Sequence, residues 1–459
     1  MTTTARLPRA LMPFGSGQYR LLTAALAASL LSAGAWIVAA VWQVVELGGT
    51  PIDLSFVAVG SSLGLVLAVL FGGVAADRIP QRRILLMVEV VRGAGFSVAT
   101  FLAITGVVEV WHLAVISFVL GLADGFFYPA YSAWLPALLP EQQLLAANGI
   151  EGVLRPTAMN AAGPAVASAL IAVQGPWLAF AVVAGLQVVA AAVLGVMRTT
   201  AVRREIDGPS VHPVRQTFID LRDGFSYLLR TRWLFATLVF SILLVFVIMG
   251  PVEVLLPFAV KDQTGGGAGA FALALAAFGV GGAIGSLAVA SMRLPRRYLT
   301  LMILAWGFGG LPLAIIGFTS WLWVMVAALF ICGLLFSGAS VVWGTLLQRR
   351  VPPSMLGRVS SLDFFVSLAL MPISMAVAGP VGEWIGIAPA FLIAGLVSPL
   401  LAIGTLAFAR LGRDELAHPL DATVDTEPVT GAGAAAGFEP PVDEVPRSDG
   451  GMRADSEAG

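Results

Sequence analysis

Long apolar stretches alternate with short polar breaks along this chain, and the stretches set its architecture. Twelve can be marked, at approximately residues 20–45, 54–76, 84–105, 113–135, 149–172, 177–197, 233–260, 270–290, 298–318, 321–343, 359–382 and 388–410. Each is close to the roughly 20 apolar residues an α-helix needs to cross the hydrocarbon of a bilayer. A backbone in hydrocarbon has no water to bond, so helices are expected there rather than loops. Some breaks are very short, among them Gln174-Gly175-Pro176 and Thr319-Ser320, which predicts antiparallel hairpins. The first stretch follows Arg6, Arg9 and Arg20 like the start of a signal peptide. It is longer than the about 7–15 apolar residues of a signal core, and it reads as a retained span.

The polar breaks alternate in charge. Those after odd-numbered stretches carry Glu46, Asp53, Glu109, Asp262 and Glu383 with a single base, Lys261. Those after even-numbered stretches carry Arg78, Arg82 and Arg83, then seven arginines from Arg198 to Arg232, then Arg293, Arg296 and Arg297, then Arg349, Arg350 and Arg358. The loop from Pro136 to Asn148 holds no base and departs from this pattern. An excess of arginine marks cytoplasmic loops, so the even loops and both termini are expected inside, in a multi-pass protein of the cell (inner) membrane.

The longest internal break, 198–232, separates six stretches from six. A shift of 215 residues places Arg78-Ile79-Pro80 on Arg293-Leu294-Pro295, and a shift of 216 places Ala162-Gly163-Pro164 on Ala378-Gly379-Pro380. The expected fold class is an all-α membrane protein, with twelve transmembrane helices in two pseudo-symmetric six-helix bundles. The expected domains are a cytoplasmic N-terminal segment (1–19), a first bundle (20–197), a cytoplasmic central loop (198–232), a second bundle (233–411) and a disordered acidic cytoplasmic tail (412–459). Within the central loop, Phe218, Leu221, Phe225 and Leu228 recur at helical spacing. They fit either an amphipathic helix along the inner face or a plain linker helix.

Composition agrees and removes several function classes. Charged residues make up 12% and hydrophobic residues 58%, against about 25% charged in a soluble globular chain. The net charge of −1 hides two regions, because eleven of the 27 acids lie from Asp414 onward. Of the 26 basic residues 25 are arginine, and a Walker phosphate loop, which needs a lysine after its glycines, is absent. Cys332 is the only cysteine, and His112, His212 and His418 are far apart, so no disulfide framework or metal-ligand spacing is present. No nucleotide, cofactor, metal or nucleic acid is expected, and no nucleophile-and-base set suggests an enzyme.

The break between the second and third stretches reads Gly73-x-x-x-Asp77-Arg78-x-x-x-Arg82-Arg83. It resembles motif A of the major facilitator superfamily and stands where that family has it. GLADGFFYPA (121–130), GVLRPTAMNAAGPAVA (152–167) and MLGRVSSLDFF (355–365) are similar to the drug and siderophore efflux branch, which includes macrolide exporters and the enterobactin exporter. Gly163-Pro164 resembles the core of motif C, which in that family marks exporters. Pro80 replaces the second motif A glycine, and the arginine typical of helix 4 in many drug antiporters is missing. The resemblance implies gating by Gly73, Asp77, Arg78, Arg82 and Arg83. Asp363, one turn into the eleventh helix, would face that motif.

Ionisable residues inside the spans each cost about 2.5–3.5 kcal/mol at a helix centre, so each needs a partner, water or a task. Glu89 and Arg92 share one face of the third helix and can neutralise each other. Glu151 and Arg155, four apart on the fifth, could either lock a gate or stabilise their helix. Asp124 and Glu253 have no base within four positions, and they are the candidates for carrying a proton or cation. The alternative for each is a protonated carboxyl bonded to a neighbouring helix, or for Glu253 exposure at the outer mouth. Trp36, Phe127 and Tyr131 are candidates for an apolar substrate cavity, against a bland role in packing.

The expectation is a monomeric secondary transporter that exports amphipathic small molecules by alternating access and proton antiport. Its partners would be that substrate, protons and the lipid bilayer. The alternatives are an importer or uniporter of the same fold without proton coupling, and a non-transporting receptor or scaffold.

Overall fold

A computed structural model describes residues 9–199, 222, 225–292, 294–352, 359, 362, 363 and 365–419. Twelve of its helices are long and apolar enough to cross a membrane. The spans are α1 (Gly17–Glu46), α2 (Pro51–Arg78), α3 (Gln81–Thr105), α4 (Val110–Leu138), α5 (Glu141–Arg155, continued by Pro156–Ala162 and Gly163–Gln174) and α6 (Pro176–Val196). They continue with α7 (Arg232–Gly250, then Pro251–Leu255 and Leu256–Thr264), α8 (Ala268–Ser291), α9 (Tyr298–Gly309, followed by Leu313–Ile316) and α10 (Leu322–Arg350). The last two are α11 (Phe365–Ile385) and α12 (Ile387–Ala409). A short helix, α13 (Leu411–Ala417), follows.

Local chemistry explains the ends. Ser16 Oγ accepts from the Tyr19 N–H at 3.4 Å and starts α1. Asp53 accepts from the Thr50 N–H at 2.8 Å and starts α2, with Pro51 in the first turn. The breaks at Gly175 and Gly386 are single residues, held at φ 84° and 93°. Such backbone suits glycine and reverses the chain within one position. The central-loop helix expected over 218–228 falls mostly outside the described residues; 225–230 are helical, with Phe225 exposed and Leu228 buried. The N-terminal residues 1–8 and the acidic tail from residue 420 also lie outside them.

Lipid tails are as apolar as leucine, so these helices associate through close packing rather than through the hydrophobic effect. The tightest crossing in the first half is α2 on α4, where a Cβ on Gly121 would collide with the Ser61 backbone. The matching pair in the second half, α8 on α10, also meets through glycines, Gly281 and Gly285 facing the Phe330 and Leu334 carbonyls. α1 and α3 both pack on α6 in the first half; α7 and α9 both pack on α12 in the second.

Three hydrogen bonds join the first six helices to the last six among the described residues. Ser55 donates to the Met375 carbonyl at 2.7 Å, the Gly379 N–H donates to Ser55 Oγ at 2.9 Å, and the Ile52 N–H donates to Glu383 Oε1 at 3.3 Å. All three lie at the end of the molecule away from the arginine-rich loops. At mid-depth α5 meets α8, where Gly279 faces Asn160. Two cavities lie in the half nearer the arginine-rich end, one between α4 and α5 and one among α7, α9, α10 and α11.

At that same end α13 is tied down. The buried Glu415 carboxylate accepts from the Thr300 N–H at 3.0 Å and the Thr300 hydroxyl at 2.5 Å, and so caps α9. Asp414 accepts from Arg350 Nη1 at 2.7 Å at the end of α10.

Candidate functional site

α3 and α4 bring three charges together deep in the first half. Arg92 Nε donates to Asp124 Oδ1 at 2.8 Å, its Nη2 bonds the same oxygen, and its Nη1 donates to Ser29 of α1 at 2.6 Å. Glu89, one turn before Arg92, lies 3.7 Å away as a looser partner. The three differ in burial: Glu89 is 1% exposed and Arg92 8%, whereas the Asp124 side chain is 42% exposed. Glu89 Oε2 has no hydrogen-bond partner among the described residues, and neither has the buried amide of Gln187 on α6. Two carboxylates therefore share one guanidinium, and the group carries a net negative charge when all three are ionised.

This arrangement gives Asp124 a base from another helix, in keeping with its having none within four positions. Its base lies 32 residues earlier, on a different helix, where a search within four positions cannot find it. It also alters the expected neutralisation of Arg92 by Glu89, because Arg92 is closer to Asp124 than to its own-helix neighbour. The Arg92 guanidinium lies over the Phe127 ring at 4.8 Å, and Phe127 stacks on Tyr131 with centroids 6.3 Å apart. Phe127 is thus buried beneath the charges rather than spread along a cavity wall.

Tyr131 lines the cavity between α4 and α5, which measures about 530 Å³ and holds Glu151, Arg155, Tyr128 and Asn148. Glu151 accepts from Arg155 Nη2 at 2.7 Å, so the pair expected from spacing forms on the cavity wall. Arg155 also lies 5.3 Å from the Tyr128 ring centroid. Trp36 lies elsewhere: its ring packs between Phe96 of α3 and Phe180 of α6, at 5.0 and 5.2 Å.

Pro156 opens a widened, π-helical turn in α5 that runs to Ala162, directly before Gly163-Pro164. A proline cannot donate to the preceding turn, and such widened turns occur often at functional sites. A Cβ on Gly163 would approach the Leu31 carbonyl at 2.6 Å and the Ala35 nitrogen at 2.8 Å, so α1 and α5 cross nearly backbone to backbone. A second widened turn, Pro251–Leu255, contains Glu253. Glu253 is exposed, and no partner for it occurs among the described residues.

Of the motif between α2 and α3, the surroundings of Gly73 and the Asp77 side chain lie outside the described set, and Arg78 and Arg83 are exposed. Arg82 is placed firmly. Its Nε donates to the Leu194 carbonyl at 2.9 Å, its Nη1 to Thr199 Oγ1 at 2.9 Å, and its Nη2 to the Gly195 carbonyl. The last carbonyls of a helix lack partners and carry partial negative charge, so Arg82 caps the end of α6.

Asp363 is bonded across to α10. It accepts from the Trp343 indole N–H of α10 at 3.0 Å and lines the second cavity with Trp306, Ser340 and Ser367. It is therefore bonded to α10 and the cavity here; the Asp77 side chain, its expected counterpart, lies outside the described residues. Position along a helix gives depth, but which neighbour a side chain meets depends on helix rotation.

Comparison with known proteins gives a consistent result. A family model described as transmembrane secretion effector matches residues 9–423. Macrolide efflux protein A of Streptococcus pyogenes is 28% identical over 383 residues, covering 82% of this chain and 92% of that protein. Multidrug efflux pump Tap of Mycolicibacterium fortuitum is 25% identical over 416 residues, covering 89% and 96%. Among solved structures, the nucleoside transporter NupG superposes with a TM-score of 0.65 at 12% identity, covering 85% of this chain and 98% of that one. At that identity the likeness shows the fold alone.

Proposed function

This chain belongs to the transmembrane secretion effector family of the major facilitator superfamily, a family of transporters rather than enzymes, and we propose that it exports amphipathic drug-like molecules by proton antiport. The Arg92–Asp124 pair carries the coupling part of this reading. Asp124 is the most exposed member of a charge group that is otherwise buried, which makes it the member suited to exchanging a proton. A proton on Asp124 removes the stronger of the two partners of Arg92 and leaves Glu89 to hold it. The guanidinium then moves toward α3, away from α4. A proton thereby becomes a change in helix packing, which is what coupling requires. Glu253, in the widened turn of α7, is the second candidate for the same work.

The two bundles, divided at the central loop, rock about their contacts. With the arginine-rich loops in the cytoplasm, the α2–α11 bonds lie on the outer side and both cavities lie nearer the inner side. This supports reading the conformation as inward-facing. Asp77 acts in the opposite state, where the α2–α3 motif closes on the second bundle. One proton entering down 100 mV and one pH unit releases about 3.7 kcal/mol, enough for about a 500-fold gradient of a neutral substrate. The same structure without a coupled proton would be a uniporter or importer, and the names of its relatives favour export.

The test is accumulation of a lipophilic drug in inverted membrane vesicles energised by a proton gradient. Uphill uptake that collapses with an uncoupler is expected. Uptake that survives the uncoupler for every compound moved would exclude proton antiport.

A further inference from the structure

The cavity of α7, α9, α10 and α11 has a chemistry that the coupling argument leaves unused. It measures about 270 Å³, and its wall is apolar except for three serines and Asp363. Pockets for whole drug-sized molecules run to about 300–1,000 Å³, so this space suits one group of a larger molecule.

The two indoles in the wall have their N–H groups engaged. Trp343 donates to Asp363, and Trp306 donates to the Phe336 carbonyl at 3.2 Å. Their rings lie 6.3 Å apart at 57°. Trp343 also packs on Trp233 and Trp306 on Phe240, and the ring surface that each still turns to the cavity is indole, which attracts a cation more strongly than other aromatic rings do. Asp363 accepts from Trp343 and Ser367 but pairs with no basic side chain among the described residues. Arg350, the described base in this region, is committed to Asp414 and to the Trp233 ring at 4.5 Å. A carboxylate in an apolar wall without a countercharge is costly to keep. Among the described residues, the wall therefore offers Asp363 no cation.

We propose that this cavity is a subsite for an organic cation: the alkylammonium group of a transported molecule, with its carbon substituents, sits in the cavity against the wall formed by the touching Trp306 and Trp343 rings and beside Asp363. The wall favours a substituted ammonium over an inorganic ion, because the aromatic and aliphatic surface offers little to a hydrated sodium. The proposal deepens the export reading by naming a substrate class. Binding needs no gradient, however, so the two can fail separately.

The test uses the full chain in lipid nanodiscs with phenyltrimethylammonium, which is permanently charged, and its neutral isostere tert-butylbenzene. Binding is read by quenching of tryptophan fluorescence and by equilibrium dialysis. The expected result is that Asp363→Asn weakens phenyltrimethylammonium by at least about tenfold, the attraction between two opposite charges being lost, and changes tert-butylbenzene by less than about twofold. Asp363→Glu should restore most of the loss. If Asp363→Asn does not fold, Trp306→Leu should show the same selective loss of the cation. Equal weakening of both probes, unchanged cation affinity in Asp363→Asn, or no cation binding by the unaltered protein would each overturn the subsite. Cation binding that persists while uphill export fails would count against the export reading instead.

Discussion

Arg92 of α3 and Asp124 of α4 are held by two nitrogens on one carboxylate oxygen, with the arginine buried and the aspartate half open. Their unequal burial gives the two ends of the pair different consequences.

Removing Arg92 leaves two carboxylates without their base, and removing Asp124 leaves a buried guanidinium with Ser29 and a carboxylate no nearer than 3.7 Å. Breaking a buried pair costs about 3–5 kcal/mol, less where one member reaches water. Arg92→Leu should therefore lower thermal stability more than Asp124→Asn. A double-substitution cycle between them should give a coupling of about 1–3 kcal/mol, read from melting of the purified protein. A coupling near zero would contradict the geometry.

In transport, Asp124→Asn should abolish uphill accumulation in energised vesicles while leaving downhill counterflow of the same drug within about threefold, because a conversion of aspartate to asparagine keeps shape and removes the proton site. Full accumulation by that variant would shift the coupling role to Glu253.

The α1–α5 crossing leaves no room for side chains at Gly163. Gly163→Val must separate the helices or distort the widened turn, and an overpacked core typically costs about 1–3 kcal/mol. Reduced yield of folded protein, measured by size-exclusion chromatography, is expected, with Gly163→Ala intermediate. A Gly149→Ala control, at a position with open space, should behave as the unaltered chain.

Glu415 caps α9 from the opposite end of the second half of the sequence. Glu415→Ala should destabilise by about 1–2 kcal/mol, the usual range for a lost cap. A stop codon after Arg410 should do at least as much, since it also removes Asp414 from Arg350. Melting temperatures of the two variants compare these directly.

Arg82→Lys should preserve insertion but lose the fork that spans two α6 carbonyls and Thr199. A lysine offers one compact charge rather than a planar fork. Asp77→Asn should lower transport while the protein stays in the membrane. Normal transport by Asp77→Asn would remove the gating role proposed for that residue.

The twelve spans were legible because apolar length reports membrane crossing directly, and the hairpin at Gly175 because so short a break leaves no other path; the caps at Ser16 and Thr50 came only with the structure. The family could be read from the residues around Asp77 and from Gly163-Pro164, which are contiguous in sequence. The Glu151–Arg155 pair was visible for the same reason, lying one turn apart on a single helix. What the sequence left undetermined is which faces meet. In hydrocarbon every apolar face is nearly equivalent, so periodicity gives little guide to rotation. The close approaches that fix it are made by glycines, which look alike in sequence. Only the packed helices set Arg92 on Asp124, turned Asp363 to Trp343, and tucked Trp36 between Phe96 and Phe180. Local chemistry fixed the helices and their ends; rotation and packing of one helix on another chose the partners of the buried charges.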